Sequence, residues 1–343
     1  SSPGRGGYAA ARAAEETAFR CRSLAAELFG VPSPEQVVFT SNATHALNIA
    51  IRSLVPEGGR VAVSGYEHNA VTRPLADIPE LRLRVVRAPM FCPDLFLEAL
   101  EHQLNRGVDV VICTHVSNVF GYALPVEEVA NLCRQRQVPL IVDASQSAGV
   151  LPVTMQAWGA AFVAMPGHKS LYGPQGTGLL LCREGGEPLL RGGTGSLSRQ
   201  PEMPDFLPDR LEAGTHNVPG AAGLLEGLRF LRRRGIAAIR RQETALVAQL
   251  ARGLDRLPGV QVYAAWEKGC QTGVLSFRVA HRDPGWVADA LSQRGVAVRA
   301  GLHCAPLAHA TGGTEATGTV RVSVSAFNTS GEVERFLKHM ARL

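Results

Sequence analysis

At 343 residues the chain is long for one core and suits two closely packed lobes. Apolar residues make up 45% and charged residues 19%, as in a globular protein, and no apolar run reaches the ~18 residues that span a bilayer, so no membrane partner is expected. The formal net charge is +5, and its one dense stretch, Arg229–Arg241, reads as the solvated face of a helix, without the interleaved aromatics that base stacking uses, so no nucleic-acid partner is expected. The seven cysteines are scattered and form no CxxC pair, which points away from a disulfide framework or zinc ribbon and toward a reducing, cytoplasmic setting. The opening, SSPGRGGYAAARAAEE, carries neither a Met nor the apolar centre of a secretory signal, and reads as a chain with residues missing upstream.

In chain order, residues 8–29 have the apolar spacing of an amphipathic helix (Phe19, Leu24, Leu28), and Gly30 supplies a stop. Short β-rich runs then alternate with helical patterns. Strands are expected at Val37–Thr40, Arg60–Ser64, Leu83–Arg87, Val108–Thr114, Leu140–Asp143, Phe162–Met165 and Gly178–Cys182, with helices at Ala43–Leu54, Pro93–Asn105 and Pro125–Arg136. Such alternation implies an α/β fold with a mostly parallel central sheet covered on both faces. From about residue 219 the pattern changes to two long helices (Pro219–Arg233, Ile236–Leu257), then strands at Gln261–Tyr263, Val274–Val279 and Thr319–Val324 and helices at Trp286–Arg294 and Gly331–Leu343. This reads as a smaller α+β C-terminal domain. The expected division is an N-terminal helical segment (1–30), a large domain (31–220) and a small domain (221–343).

Ligands in open parallel sheets sit beyond the carboxyl ends of the strands, so the polar residues that follow each strand are the ones to inspect. Only Lys169, Lys268 and Lys338 among the 35 basic residues are lysines, and arginine can neither form a Schiff base nor lose its proton near neutral pH. Lys169 follows a strand in MPGHKSLYGPQGTG, a Gly-rich loop without the spacing of a nucleotide P-loop. A crowded amine there becomes a nucleophile toward aldehydes. Asp143, in VDASQSAG, reads either as a helix cap or as a carboxylate that keeps a pyridinium nitrogen protonated, with Gln146 three residues on. TSNATHALN (40–48) combines hydroxyls with a helix start, which suits an anion as well as ordinary capping. His68 in SGYEHNAV and Asn118 in THVSNVFG follow two further strands. Cys304, among Gly301, His303, Pro306 and His309, reads as a loop thiol that neighbouring imidazoles turn into a thiolate; a metal site there lacks a second cluster of ligands, so no metal is expected. Arg321, in TVRVSVSAFNT, suits a bidentate clamp on a carboxylate.

Taken in order, EHN, HVSNVFG, VDASQ, GHKSLYGPQGTG, EAGTHN, RAGLHCA and RVSVSAFNT resemble the cysteine desulfurase and selenocysteine lyase family, class V of the fold-type I pyridoxal-phosphate (PLP) enzymes, over almost the whole chain. The resemblance implies a fold-type I PLP-dependent transferase with PLP on Lys169. It implies Asp143 at the pyridine nitrogen, Gln146 at the ring oxygen and His68 against the ring face. Ala43, Thr44 and His168 hold the phosphate. Thr215, in EAGTHN, reaches the phosphate of a neighbouring subunit, which implies a homodimer with shared sites. Asn118 and Arg321 bind the substrate carboxylate, and Cys304 takes sulfur from L-cysteine as a persulfide, leaving alanine, before a sulfur-acceptor protein or reductant removes it. Other class V reactions (selenocysteine lyase, cysteine sulfinate desulfinase, aminotransferase) and a silent PLP-fold binding protein are the alternatives. Two departures stand out: Pro166 occupies a position where the family often has Ser, and a DNAAT-like opening segment is absent.

Overall fold

The computed structural model describes residues 7–265 and 269–343; Lys268 lies outside them. Among the described residues a seven-stranded sheet has the order β1-β7-β6-β5-β4-β2-β3. Its strands are β1 (Val37–Thr40), β2 (Arg60–Ser64), β3 (Arg82–Val86), β4 (Val110–Thr114), β5 (Leu140–Asp143), β6 (Phe162–Pro166) and β7 (Gly178–Cys182). β7 alone runs against its neighbours; β3-β2-β4-β5-β6 pair in parallel. The central strands are apolar throughout because both faces are covered. On β7, Leu179 and Leu181 enter one core cluster while Leu180 and Cys182 enter the other, as alternate residues of a strand must.

The helices are α1 (Ala9–Phe29), α2 (Ala43–Leu54), α3 (Asn69–Ala76), α4 (Pro93–Asn105), α5 (Val126–Gln135), α6 (Met155–Trp158), α7 (Val218–Arg234), α8 (Ile236–Asp255), α9 (Pro284–Ser292), α10 (Pro306–Thr311) and α11 (Ser330–Met340). α2 and α3 supply apolar residues to one face of the sheet, and α1, α4, α5 and α7 to the other. α1 ends where Gly30 turns left-handed at φ 60°, with its N–H on the Ala26 carbonyl. A four-stranded antiparallel sheet, β10-β11-β9-β8, holds β8 (Val260–Tyr263), β9 (Val274–Val279), β10 (Arg299–Gly301) and β11 (Thr319–Ser323). It shares a third core cluster with α8, α9 and α11. The apolar face of α7 (Leu224, Leu225, Leu228, Leu231) lies in the large-sheet cluster, whereas Leu246 and the residues after it on α8 belong to the small-sheet cluster.

The α/β architecture with a mostly parallel sheet and a smaller second sheet is as expected from the sequence. The differences are local. Val108 stays outside β4, and the strand register starts at Val110. α3 contains Pro74, which hides it from a periodicity argument. Cys304, read as a loop residue, lies in the irregular stretch 302–305, which is short because β10 precedes it and α10 follows.

Candidate active site

The parallel strands β2, β4, β5 and β6 end on the same edge of the sheet, and the residues after them converge on a cavity of about 250 Å³. Asp143 closes β5 and is buried; its Oδ1 accepts the Ser145 N–H at 2.9 Å, and its carbonyl accepts the His115 N–H at 2.9 Å. Lys169 follows β6. Much of its surface is open, but that surface lines the cavity. Crowding by protein lowers its ammonium pKa, an effect that nearby Asp143 opposes and that Arg321 and Arg299 reinforce. His168 also lines the cavity, and partial burial, with Lys169 adding, lowers its pKa. Gln146, half-buried, faces the same space.

His68 caps α3. Its Nδ1 accepts the Ala70 N–H at 3.0 Å, which leaves the proton of the neutral ring on Nε2. Burial lowers its pKa, Asp143 pulls the other way, and Lys169, Arg299 and Arg73 lower it further. α2 presents its N-terminus to the cavity through Ala43 and Thr44. Asn42 caps this helix by accepting the His45 N–H at 2.9 Å, while the first-turn N–H groups of Ala43 and Thr44 have no intrahelical acceptor. The site therefore offers an anion a helix end free of acidic first-turn residues.

The small sheet closes the cavity with two arginines. Arg321 of β11 donates from Nη1 to the Asn118 carbonyl at 2.8 Å, and Arg299 of β10 is its cross-strand partner. Burial, with Arg299 adding, lowers Arg321 to about 10, opposed by Cys304. The Nε of Arg321 and the Oδ1 of Asn118 are buried without a partner, and both residues line the cavity. Asn118 uses its Nδ2 on the His303 carbonyl at 2.8 Å. Cys304 is the exposed member of the seven free cysteines. The imidazoles expected to activate it are engaged with threonine hydroxyls instead. His303 Nε2 pairs with Thr319 Oγ1 at 3.2 Å and His309 Nδ1 with Thr314 Oγ1 at 2.7 Å; burial holds them down at about 3 and about 4. The group next to the Cys304 sulfur is Arg299, with Nη2 at 3.7 Å.

Thr215 is exposed and lines not this cavity but a larger one of about 760 Å³, which shares Asn42 and Thr44 with it. Sequence reasoning passed over Arg299, which nothing but its position in RAGLHCA marks. It also passed over Glu67, the fully buried neighbour of His68. Glu67 Oε1 accepts the Ser64 hydroxyl at 2.5 Å and the Thr114 N–H at 2.6 Å, and Oε2 has no partner. Burial drives its pKa up to about 8, with Asp143 contributing. Among the described residues no group of three or more His, Cys, Asp or Glu side chains is arranged to hold a metal ion, and no helix is long and apolar enough to cross a membrane.

A fold-type I frame with a lysine, a buried carboxylate and a helix N-terminus around one cavity defines a class, and comparison with known proteins agrees. The aminotransferase class-V family model matches residues 1–336, so the chain belongs to that family. A probable cysteine desulfurase of Xylella fastidiosa is 34% identical over 335 residues, covering 94% of this chain and 79% of the relative. A probable cysteine desulfurase of Mycolicibacterium paratuberculosis is 32% identical over 351 residues, 97% of this chain, but the chain spans about half of that relative's length, 50%. Among solved structures, the apo cysteine desulfurase of Thermococcus onnurineus superposes with a TM-score of 0.92 at 32% identity, covering 100% of this chain and 87% of that one.

Proposed function

We propose that this chain is a PLP-dependent cysteine desulfurase, a sulfurtransferase that converts L-cysteine to L-alanine and leaves the sulfur on Cys304 as a persulfide. The observation that carries the reading is the convergence, in one cavity, of Lys169, Asp143, the N-terminus of α2 and the Asn118–Arg321 pair, with the exposed thiol of Cys304 beside it. These residues fit the cofactor. Lys169 is an amine made less basic by crowding, which suits attachment to an aldehyde. Asp143, a buried carboxylate lining the cavity, would pair with the pyridine nitrogen, and Gln146 would contact the ring oxygen. His68 would cover the ring, and Ala43, Thr44 and His168, which line the same cavity, would hold the phosphate. PLP, when bound, supplies an electron sink that acidifies the Cα proton and loosens the Cβ–S bond.

The chain's own groups do the rest. Arg321 and Asn118, whose Nε and Oδ1 are buried without partners, orient the substrate α-carboxylate and α-amine region. Lys169, as a free amine, would take the Cα proton on Nζ. The Cys304 thiolate attacks the substrate sulfur. A sulfur–sulfur bond forms as the Cβ–S bond breaks, its electron pair stays with the carbon skeleton, and protonation of that skeleton gives alanine. A thiol reductant or an acceptor protein then removes the outer sulfur. Thr215, on the neighbouring cavity, fits contact with a second subunit's phosphate, and hence a homodimer with shared sites. Seven free cysteines suit a reducing, cytoplasmic setting. The proposed division is residues 1–30, 31–220 and 221–343, although α1 and α7 both pack into the large core, so α7 joins the large domain by packing while lying beyond its boundary in sequence.

The test is release of sulfide and alanine from L-cysteine with a thiol reductant, for wild type and Cys304→Ala. Equal amounts of both products from wild type, with turnover lost but PLP absorbance kept in the variant, support the reading. PLP binding without sulfide from wild type overturns it.

A further inference from the structure

Arg299 has no part in the mechanism above, yet it touches the reacting sulfur. It opens β10 and is the Cα partner of Arg321 across an antiparallel pair. Like charges set opposite each other in a sheet repel, and both arginines line the same cavity. Arg321 has a use for its charge in the substrate carboxylate. Arg299 instead donates from Nη2 to Cys304 Sγ at 3.7 Å. The sulfur is held from behind as well. The Cys304 carbonyl accepts the Asn69 N–H at 2.8 Å, and the preceding carbonyl, of His303, accepts from Asn118 Nδ2 at 2.8 Å. His303 and Cys304 are both left-handed, at φ 50° and 57°, a conformation that non-glycine residues hold only when their surroundings impose it.

Two cations act on Cys304 directly, Arg299 on β10 and Arg321 on β11. The charged and titratable groups that face these arginines come from the neighbouring elements: His68 at α3, Lys169 after β6, and His303 in the turn before Cys304, with Asp143 ending β5 and Arg73 on α3 acting on His68. The imidazoles of His303 and His309 are engaged with threonine hydroxyls and kept neutral by burial. Of the cations, Arg299 is the one with a hydrogen bond to the sulfur.

We propose that Arg299 is a catalytic residue of this site: it holds the Cys304 sulfur in its anionic form and fixes its direction, while Arg321 serves the substrate carboxylate. The proposal rests on the desulfurase reading for what the thiolate attacks, but not for the contact itself. The paired arginines thus form a clamp for two anions, one belonging to the protein and one to the substrate.

The experiment measures alkylation of Cys304 by iodoacetamide, a neutral reagent, in the PLP-loaded protein. It is followed on the Cys304 peptide by mass spectrometry across pH, so that half-buried Cys92 and Cys270 do not interfere. Wild type is compared with Arg299→Gln and Arg299→Lys. In Arg299→Gln the rate at neutral pH is expected to fall roughly threefold to tenfold, the loss of one partly exposed charge-assisted hydrogen bond. The rates converge at alkaline pH, and Arg299→Lys lies between. Wild-type rates in both variants at every pH overturn the proposal; so does a slowing that persists at alkaline pH, which reports access rather than ionisation. Failure of wild type to make sulfide is read separately and leaves the alkylation result standing.

Discussion

Arg22 on α1 and Glu212, just before the loop that carries Thr215, form a buried ion pair whose loss is open to a quantitative test. Nη1 and Nη2 of Arg22 each meet a Glu212 carboxylate oxygen at 2.6 Å, the Phe39 N–H donates to Oε1 at 2.6 Å, and His216 Nε2 lies 3.1 Å from Oε2. The side chains are 10% and 2% exposed, so screening by solvent does not discount the pair. Glu212→Ala leaves a guanidinium and the β1 N–H of Phe39 inside the protein without their acceptor. Breaking one partner of such a pair costs about 3–5 kcal/mol, a large part of the ~5–15 kcal/mol that holds a typical protein folded. Replacing both partners by apolar residues of similar size, Arg22→Met with Glu212→Leu, is expected to recover most of it, because no charge is then stranded. Urea unfolding of the single and double variants measures both. A single-variant cost below about 1 kcal/mol, the range of surface pairs, refutes the argument.

Arg321→Ala is expected to lower kcat/KM for L-cysteine by about 10- to 100-fold, the worth of a charge-assisted contact to a carboxylate, with PLP absorbance unchanged; steady-state kinetics at saturating PLP decide it. Lys169→Ala is expected to abolish turnover and to lose the cofactor on denaturation after borohydride treatment, whereas wild type retains it by mass spectrometry. Gly227→Ala places a Cβ 2.1 Å from the Leu171 carbonyl oxygen and 3.0 Å from the Gly173 nitrogen, so α7 must push away the loop that carries Lys169; PLP affinity and melting temperature are expected to fall together. Glu67 has a folded pKa of about 8 against an ordinary value of 4.5, so the folded state holds the proton more tightly. Its contribution to stability is fully present below pH 4.5 and is lost as pH rises toward 8, by about 1.4 kcal/mol per pH unit at most. Glu67→Gln, which stays neutral, is expected to gain stability relative to wild type over that window in urea titrations.

The large sheet was legible because its central strands are buried on both faces and read as largely apolar runs; Leu140–Asp143 and Gly178–Cys182 sit where the sequence puts them. α3 escaped because its eight residues contain Pro74, and α10 because six residues make too little of a helical period to register. In the site, Lys169, Asp143, His68 and Asn118 follow strand ends, so strand assignment alone places them at one edge. The environment of Cys304 was read from sequence neighbours, and this misled: the left-handed turn at His303 sends its imidazole into the core toward Thr319, while a residue five positions back, Arg299, comes to the sulfur. Sequence adjacency predicts backbone proximity, but the side-chain partner at a tight turn is set by which face the turn presents. Glu67 was invisible for a different reason, since a glutamate between Tyr66 and His68 gives no sign that it is fully buried.

The cavity gathers Lys169, Arg299 and Arg321 around the single buried carboxylate Asp143, with the imidazoles of His68 and His168 at its walls. That arrangement opposes folding: like charges sit across one strand pair, and Lys169 and Arg321 are both made less basic by their surroundings. A protein optimised for stability alone would place acids against these arginines. The excess of cationic groups has a purpose when the occupants are anionic, and the proposed reaction brings two such occupants, a phosphate proposed for the N-terminus of α2 and a substrate carboxylate proposed for Arg321, while Arg299 faces the protein's own Cys304 sulfur. On that reading each bound anion relieves repulsion among the cationic side chains, so binding free energy is drawn partly from strain already present in the site. The same excess disfavours neutral analogues of the substrate, which bring no charge to offset it, and this makes charge as well as shape a source of selectivity.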